Sequence, residues 1–146
     1  MENLDEISSG PITGASTLPG LILVDDDPLI VESLSFVLGV DFKVHTSDSR
    51  YAAKTLLQNL DELPTLALID LGLPPDPHAP DEGFALITEL LAFNHSMKIL
   101  VLSGQSDRSN IQHALTLGAV DFMPKPCDAD LLRALESSTF DLGRGA

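Results

Sequence analysis

The chain has 146 residues, enough for one domain with its own hydrophobic core. Eight basic and 22 acidic residues give a net charge of −14, which argues against direct binding to nucleic acid or to an anionic membrane. A single cysteine, Cys127, excludes an internal disulfide and a cysteine-based zinc site. No signal peptide and no apolar run of membrane-spanning length is recognisable, so we expect a cytoplasmic location.

The first strand of the chain is predicted at residues 21–24, which are all apolar. Residues 1–19 before it are rich in Ser, Thr, Gly and Pro, and we expect them to form a flexible arm. Three consecutive acids follow the strand, and Pro28 suits the first turn of a helix. Of these acids, Asp27 is favoured as the cap of that helix because its charge suits the positive end of the helix dipole.

A second strand is predicted at residues 42–46 by its alternating pattern, and a second helix follows it with Ser47 or Asp48 as its expected cap. A third strand covers residues 66–70. Its four leading apolar residues indicate a strand that is buried on both faces and carries Asp70 to its carboxyl end.

The loop after this strand is unusual, because four of the seven residues 74–80 are proline, which makes it stiff and extended. A third helix resumes near Phe84. A fourth strand at residues 97–102 leads to Ser103, and a fourth helix ends at Gly118 in a left-handed cap. A fifth strand at residues 120–123 precedes Lys125, and Asp128 is the expected cap of a last helix.

Alternation of five apolar strands with five amphipathic helices predicts an α/β fold with a doubly wound parallel sheet covered on both faces. One reversal of winding gives the flavodoxin-like (βα)5 strand order 2-1-3-4-5. In that order the ends of the first and third strands are neighbours. We therefore expect Asp25, Asp26 and Asp70 to share one crevice.

Three carboxylates in one crevice repel each other, and protonation or a bound cation must relieve that repulsion. Ligands that are all oxygen favour a hard ion such as Mg²⁺. Ser103 adds a hydroxyl and Lys125 a positive charge, so the set suits the acceptance of a phosphoryl group, where neutralisation and positioning dominate catalysis.

Four stretches of the sequence, residues 21–28, 68–74, 101–104 and 118–126, resemble the receiver domain of bacterial two-component response regulators. The resemblance covers residues 20–138 and leaves residues 139–146 as a C-terminal tail. It implies a phosphorelay signalling module, rather than an enzyme, whose Asp70 accepts a phosphoryl group from a histidine kinase or a histidine phosphotransfer protein.

The resemblance also implies a role for the other site residues. Asp25 and Asp26 would hold Mg²⁺ together with Asp70, and the backbone carbonyl of Gly72 would complete the metal shell. Phosphorylation would then be read out by further positions of the family pattern: Ser103 as the switch hydroxyl, Phe122 as the switch aromatic, Lys125 as the invariant lysine, and a cis peptide bond before Pro126.

The output face implied by the resemblance consists of the fourth helix, the fifth strand and the fifth helix, around residues 111–135. In relatives that face pairs receivers into dimers or docks a further domain. The loop between Pro74 and Gly83 is about five residues longer than the family pattern. In this longer form it resembles the receivers of PEP-CTERM exosortase-associated regulators, and partner contacts of this loop cannot be carried over from the family.

Two other functions are compatible with parts of the sequence. A haloacid-dehalogenase-like phosphohydrolase would use Asp25 as nucleophile and Asp27 as acid/base, but it leaves Asp70 without a role and needs a later acidic strand and a cap. A receiver-like interaction module that is never phosphorylated is the second alternative.

Overall fold

The structure is a computed structural model that describes residues 18–103 and 108–125. Predictions for residues 1–17, the last helix, the Lys125–Pro126 peptide bond and the tail lie outside these residues. Within the two described ranges, no helix is both long enough and apolar enough to cross a membrane.

Five strands and four helices alternate along the described part of the chain. They are β1 (Gly20–Val24), α1 (Pro28–Leu38), β2 (Lys43–Ser47), α2 (Arg50–Gln58), β3 (Leu66–Asp70), α3 (Asp81–Phe93), β4 (Lys98–Ser103), α4 (Arg108–Leu117) and β5 (Asp121–Pro124). The strands form one sheet in the order β2-β1-β3-β4-β5, and every neighbouring pair is parallel. The flavodoxin-like order is confirmed, and each strand lies within one residue of its predicted bounds.

The sheet has a hydrophobic core on each face, because alternate residues of its central strands point to opposite sides. On one face Ile22, Ile69 and Val101 pack against residues of α2 and α3, including Leu57 and Leu90. The other face packs against α1 and carries a second buried cluster. All five residues of β3 are buried, as its apolar run predicted. Asp70 is the last residue of this central strand and lies at the edge of the sheet where the parallel strands have their carboxyl ends.

The start of α1 follows the sequence prediction. Asp27 has an extended backbone, and its carboxylate accepts the Leu29 N–H at 3.0 Å. Pro28 occupies the first turn, where its missing N–H leaves no bond unmade. The predicted left-handed cap at the end of α4 is also present, because Gly118 has a φ of +124°.

The cap of α2 differs from the prediction. Ser49, and neither Ser47 nor Asp48, is the N-cap, and its side chain accepts the Ala52 N–H at 3.0 Å. Ser47 is still part of β2, since its carbonyl accepts the Asp25 N–H at 3.1 Å at the end of the parallel ladder. The pairing of Ser47 in the sheet excludes it as the cap, and Ser49 takes that position in place of Asp48.

We predict that Ser49→Ala lowers the free energy of unfolding by about 1 kcal/mol, because it leaves an N–H of the first turn of α2 without its acceptor. Urea denaturation measures the change. Asp48→Ala removes the neighbouring exposed acid and is the matched control, with an expected change of less than about 0.5 kcal/mol. Equal losses in the two variants would contradict the cap assignment.

Candidate functional site

Three aspartates meet at the carboxyl ends of β1 and β3, which are neighbours in the sheet. Asp25 is fully buried, Asp70 is 8% exposed, and Asp26 lies at the surface. One carboxylate oxygen from each residue lies within 4.8 Å of the others. The structure therefore brings together the three acids that the strand order predicted.

Both carboxylate oxygens of Asp25 have partners inside the protein. Oδ1 accepts the backbone N–H of Asp27 at 2.9 Å, and Oδ2 lies 2.8 Å from the ammonium of Lys125. The lysine follows β5, so its side chain reaches across the ends of the intervening strands to the end of β1. Its Nζ is also 3.4 Å from Oδ2 of Asp70. Lys125 is thus the cation that bridges two of the acids.

The carboxylate of Asp70 is held less tightly than that of Asp25. Its Oδ1 accepts the Gly72 N–H at 3.2 Å, two residues further along the chain. Burial, together with the negative charge of Asp25, raises the pKa of Asp70 to about 6, although Lys125 and the Gly72 N–H act in the opposite direction. Burial lowers the pKa of the Lys125 ammonium, but its hydrogen bond to Asp25 and the charge of Asp70 outweigh this and leave that pKa raised.

The cluster fits a hard divalent cation. Among the described residues three carboxylates face one ammonium, so negative charge is left in excess. Burial is the main cause of the raised pKa of Asp70, and the charge of Asp25 adds to it. Within residues 18–103 and 108–125 all the clustered donors are carboxylate oxygens, which suits Mg²⁺, and the exposure of Asp26 leaves room for the waters that this ion keeps.

The remaining predicted site residues are placed as follows. Ser103 is the last residue of β4, at the same edge of the sheet as Asp70. Phe122 lies in β5 and is 38% exposed, beside a surface groove that it lines together with α4. Pro126 lies outside the described residues. The predicted role of Gly72 involved its carbonyl, and the structure adds its N–H as a partner of Asp70.

Sequence reasoning missed two features around the site. The Asp70-to-Gly72 bond is an Asp-to-N–H contact two residues apart, which the Asp-Leu-Gly pattern could have indicated. The second feature is an ion-pair network in which Arg50 of α2 contacts Glu82 at 3.1 Å and Glu89 at 2.8 Å on α3. No local pattern signals it, because its members are more than 30 residues apart.

Comparison with known proteins places this geometry in a family. The family model of the response regulator receiver domain matches residues 21–136, which include all three acids and Lys125. The chain belongs to the response regulator receiver domain family. The predicted recognition is confirmed, and the chain is a receiver domain of two-component systems, a signalling module.

Two similar proteins are transcriptional regulators by name. The chain is 34% identical over 115 residues to the transcriptional regulatory protein KdpE of Staphylococcus aureus, a match that covers 78% of this chain and 46% of KdpE. It is 32% identical over 136 residues to the transcriptional regulatory protein FixJ of Azorhizobium caulinodans, covering 85% of this chain and 55% of FixJ. The chain therefore spans about half the length of these relatives.

Solved structures support the fold. A CheY-like response regulator receiver domain protein from Methanospirillum hungatei superposes with a TM-score of 0.74 at 24% identity, covering 89% of this chain and 100% of that one. NtrX from Brucella abortus gives a TM-score of 0.76 at 22% identity, covering 88% of this chain and 28% of that one. At these identities the likeness establishes the fold alone.

The phosphohydrolase alternative is contradicted by the family match. Its second acid, Asp27, is bound to the first turn of α1 as a helix cap. The PEP-CTERM-associated subfamily stays a prediction.

We predict that Asp70→Asn stabilises the metal-free protein near neutral pH. The pKa of Asp70 in the folded chain is about 6, above the ordinary value of 3.8, so the folded chain holds the proton more tightly than the unfolded chain does. The free energy of unfolding therefore falls as the pH rises from about 4 to about 6, by about 1–3 kcal/mol from this group.

Urea denaturation with a chelator at pH 7.5 and pH 4 measures this effect. The free energy of unfolding of Asp70→Asn should be larger than that of the wild type at pH 7.5, and most of this difference should disappear at pH 4. Asp61→Asn, which changes an exposed acid in the loop before β3, controls for the loss of one negative charge. An Asp70→Asn protein that is less stable than the wild type at pH 7.5 would contradict the electrostatic account.

Proposed function

We propose that this receiver accepts a phosphoryl group on Asp70 from a histidine kinase or a histidine phosphotransfer protein, in a reaction that requires Mg²⁺. The observation that supports this most is the position of the Asp70 carboxylate at the partly open edge of the cluster, 3.4 Å from the Lys125 ammonium. Asp25, in contrast, is fully buried and has both oxygens occupied.

The proposed step is an in-line displacement. A carboxylate oxygen of Asp70 attacks the phosphorus of a phosphohistidine, a phosphorus–oxygen bond forms, and the phosphorus–nitrogen bond breaks as its electron pair returns to the imidazole. Lys125 already lies beside Oδ2 of Asp70, so its ammonium is positioned to stabilise negative charge on the incoming oxygens. Mg²⁺, when bound, supplies further neutralisation of that charge.

The residues that would hold the ion are Asp25, Asp26 and Asp70, with the backbone carbonyl of Gly72. The spacing of the three carboxylates supports this set, and the bond from the Gly72 N–H to Asp70 keeps that part of the backbone at the site. Asp25 is the fixed member, because its buried carboxylate is anchored by Lys125 and by the N–H of Asp27.

We further propose that phosphorylation is read out at the face formed by α4 and β5. Ser103 would move toward the phosphoryl oxygens, and Phe122 would turn from its half-exposed position into the space that opens. The groove beside Phe122 supports a change at this face; it is lined by Phe122 and by Arg108, Ser109, Ile111, Gln112 and Leu115 of α4. This face, together with the helix that the sequence predicts after Asp128, is the proposed surface for a second receiver or for a further domain.

KdpE and FixJ carry the name of transcriptional regulatory proteins, and we infer that this receiver also controls a regulatory output. The chain is strongly acidic, so it would act through its protein partners and not by binding DNA itself.

We predict that incubation with acetyl phosphate and Mg²⁺ adds one phosphoryl group to the chain, and that Asp70→Asn abolishes the addition because the accepting carboxylate is gone. Intact-mass spectrometry detects the product. Asp27→Asn is the matched control, since it changes an acid that caps α1, and it should still be phosphorylated. A wild type that is never phosphorylated would favour the interaction-module alternative, and labelling that persists in Asp70→Asn would refute the assignment.

We predict that millimolar Mg²⁺ raises the melting temperature of the wild type by a few degrees, because the ion binds the folded cluster and relieves its repulsion. Asp26→Ala should reduce this shift by more than half, and it leaves the core untouched because Asp26 is exposed. Asp27→Ala should have a lower melting temperature, because it removes the cap of α1, but Mg²⁺ should raise that temperature as much as in the wild type. Equal shifts in the wild type and in Asp26→Ala would count against the proposed metal site.

A further inference from the structure

The proline-rich loop folds back on the site. Residues 71–80 connect β3 to α3; Leu71 and Leu73 are buried, and residues 75–78 are exposed. The carbonyl oxygen of Pro77 occupies the space next to Gly72, so that a Cβ on Gly72 would overlap this oxygen. The tip of the loop therefore lies against the backbone two residues after Asp70.

Gly72 is required here for space and not for backbone conformation. Among the glycines that the structure describes, only Gly118 has a positive φ, so alanine could adopt the backbone of Gly72. What excludes a side chain at Gly72 is the Pro77 carbonyl. Glycine has the most freely moving backbone of all residue types because it has no side chain. The Pro77 carbonyl restricts the backbone of Gly72 in the way that a side chain would.

The tip is stiff enough to impose such a restraint. The Asp76 carboxylate accepts the His78 N–H at 3.2 Å, and the Asp76 carbonyl accepts the Ala79 N–H at 3.1 Å. The prolines at 74, 75, 77 and 80 fix their own φ angles.

The far end of the loop is anchored as well. A Cβ on Gly83 would lie 2.5 Å from the Cα of Leu71, so the start of α3 packs directly on the end of β3. Arg50 holds the same turn of α3 through its ion pair with Glu82. The tip is thus braced between a fixed helix end and Gly72.

We propose that the tip of the loop, residues 74–80, is a brace that holds the Gly72 backbone in position for Mg²⁺ binding, with Pro77 as the positioning residue. The restraint passes from the Pro77 carbonyl to Gly72, and from the Gly72 N–H to Oδ1 of Asp70. This inference rests on the proposed function of the site, and it adds that the site depends on a loop segment that contributes no metal ligand itself.

The test is a cycle of four proteins: the wild type, Gly72→Ala, a shortened chain lacking residues 75–79, and the shortened chain with Gly72→Ala. Mg²⁺ affinity is measured by calorimetric titration with the metal alone. In the full chain Gly72→Ala should weaken binding about fivefold or more, because the new Cβ displaces the tip. The shortened chain should bind about two- to fivefold more weakly than the wild type, because Gly72 is then unrestrained.

In the shortened chain, Gly72→Ala should strengthen binding about two- to fivefold, because alanine supplies the restraint that the tip no longer gives. The same substitution therefore has opposite effects in the two backgrounds. A purely structural loop would not produce this inversion. Effects of the same sign in both backgrounds, or a shortened chain that binds Mg²⁺ as well as the wild type, would overturn the brace.

A pair of milder variants keeps the test decisive if the shortened chain does not fold. Asp76→Asn retains the acceptor for the His78 N–H and should leave Mg²⁺ affinity unchanged, whereas Asp76→Ala loosens the tip and should weaken it about twofold or more. Equal weakening in both would mean that the loop acts through its charge, and no weakening in either would also refute the brace. If the wild type is phosphorylated but these tests fail, only the proposed brace is refuted. If the wild type binds no Mg²⁺, the proposed function is refuted together with the brace.

Discussion

The ion pair between Asp25 and Lys125 is the contact on which the rest of the site depends. A fully buried carboxylate is costly unless a charge and hydrogen bonds compensate it, and here an ammonium at 2.8 Å and a backbone N–H at 2.9 Å do so. The two residues are 100 positions apart and directly follow β1 and β5, which are separated by two other strands in the sheet. The pair therefore depends on the strand order, which brings the ends of β1 and β5 within reach of each other across β3 and β4.

The same arrangement carries an electrostatic cost that the proposed function would explain. Lys125 contacts both Asp25 and Asp70, and burial together with the charge of Asp25 still leaves the pKa of Asp70 raised to about 6. A structure selected for stability alone would replace one of these acids with a neutral residue. The proposed uptake of a cation and a phosphoryl group would instead favour an excess of negative charge on one side and a fixed cation on the other.

Most of the fold was predictable because its signals are local. The apolar run of β3 gave the bounds of that strand and the place of Asp70, and Pro28 with Asp27 gave the start of α1. The start of α2 was not predictable in this way, since three successive residues, Ser47 to Ser49, can all cap a helix. Pairing of β2 with β1 excludes Ser47, and that pairing is a tertiary contact.

In the site, too, the residues with a local sequence signal were predictable and the others were not. Its aspartates and Lys125 were predictable because each stands at the end of a strand, where the strand order alone determines their neighbours. The contact between Pro77 and Gly72 was not, because a proline-rich loop has no periodicity from which its path could be read. The link from Arg50 to α3 likewise joins residues that no short pattern relates.

Chemical identification of the phosphorylated residue in the unmodified chain tests the assignment of Asp70 most directly. After treatment with acetyl phosphate and Mg²⁺, borohydride reduces an aspartyl phosphate to homoserine, and peptide mass spectrometry locates the converted position. We predict conversion at Asp70 and at no other aspartate. Conversion at Asp25, Asp26 or Asp27, or phosphate found only on serine or threonine, would contradict the assignment.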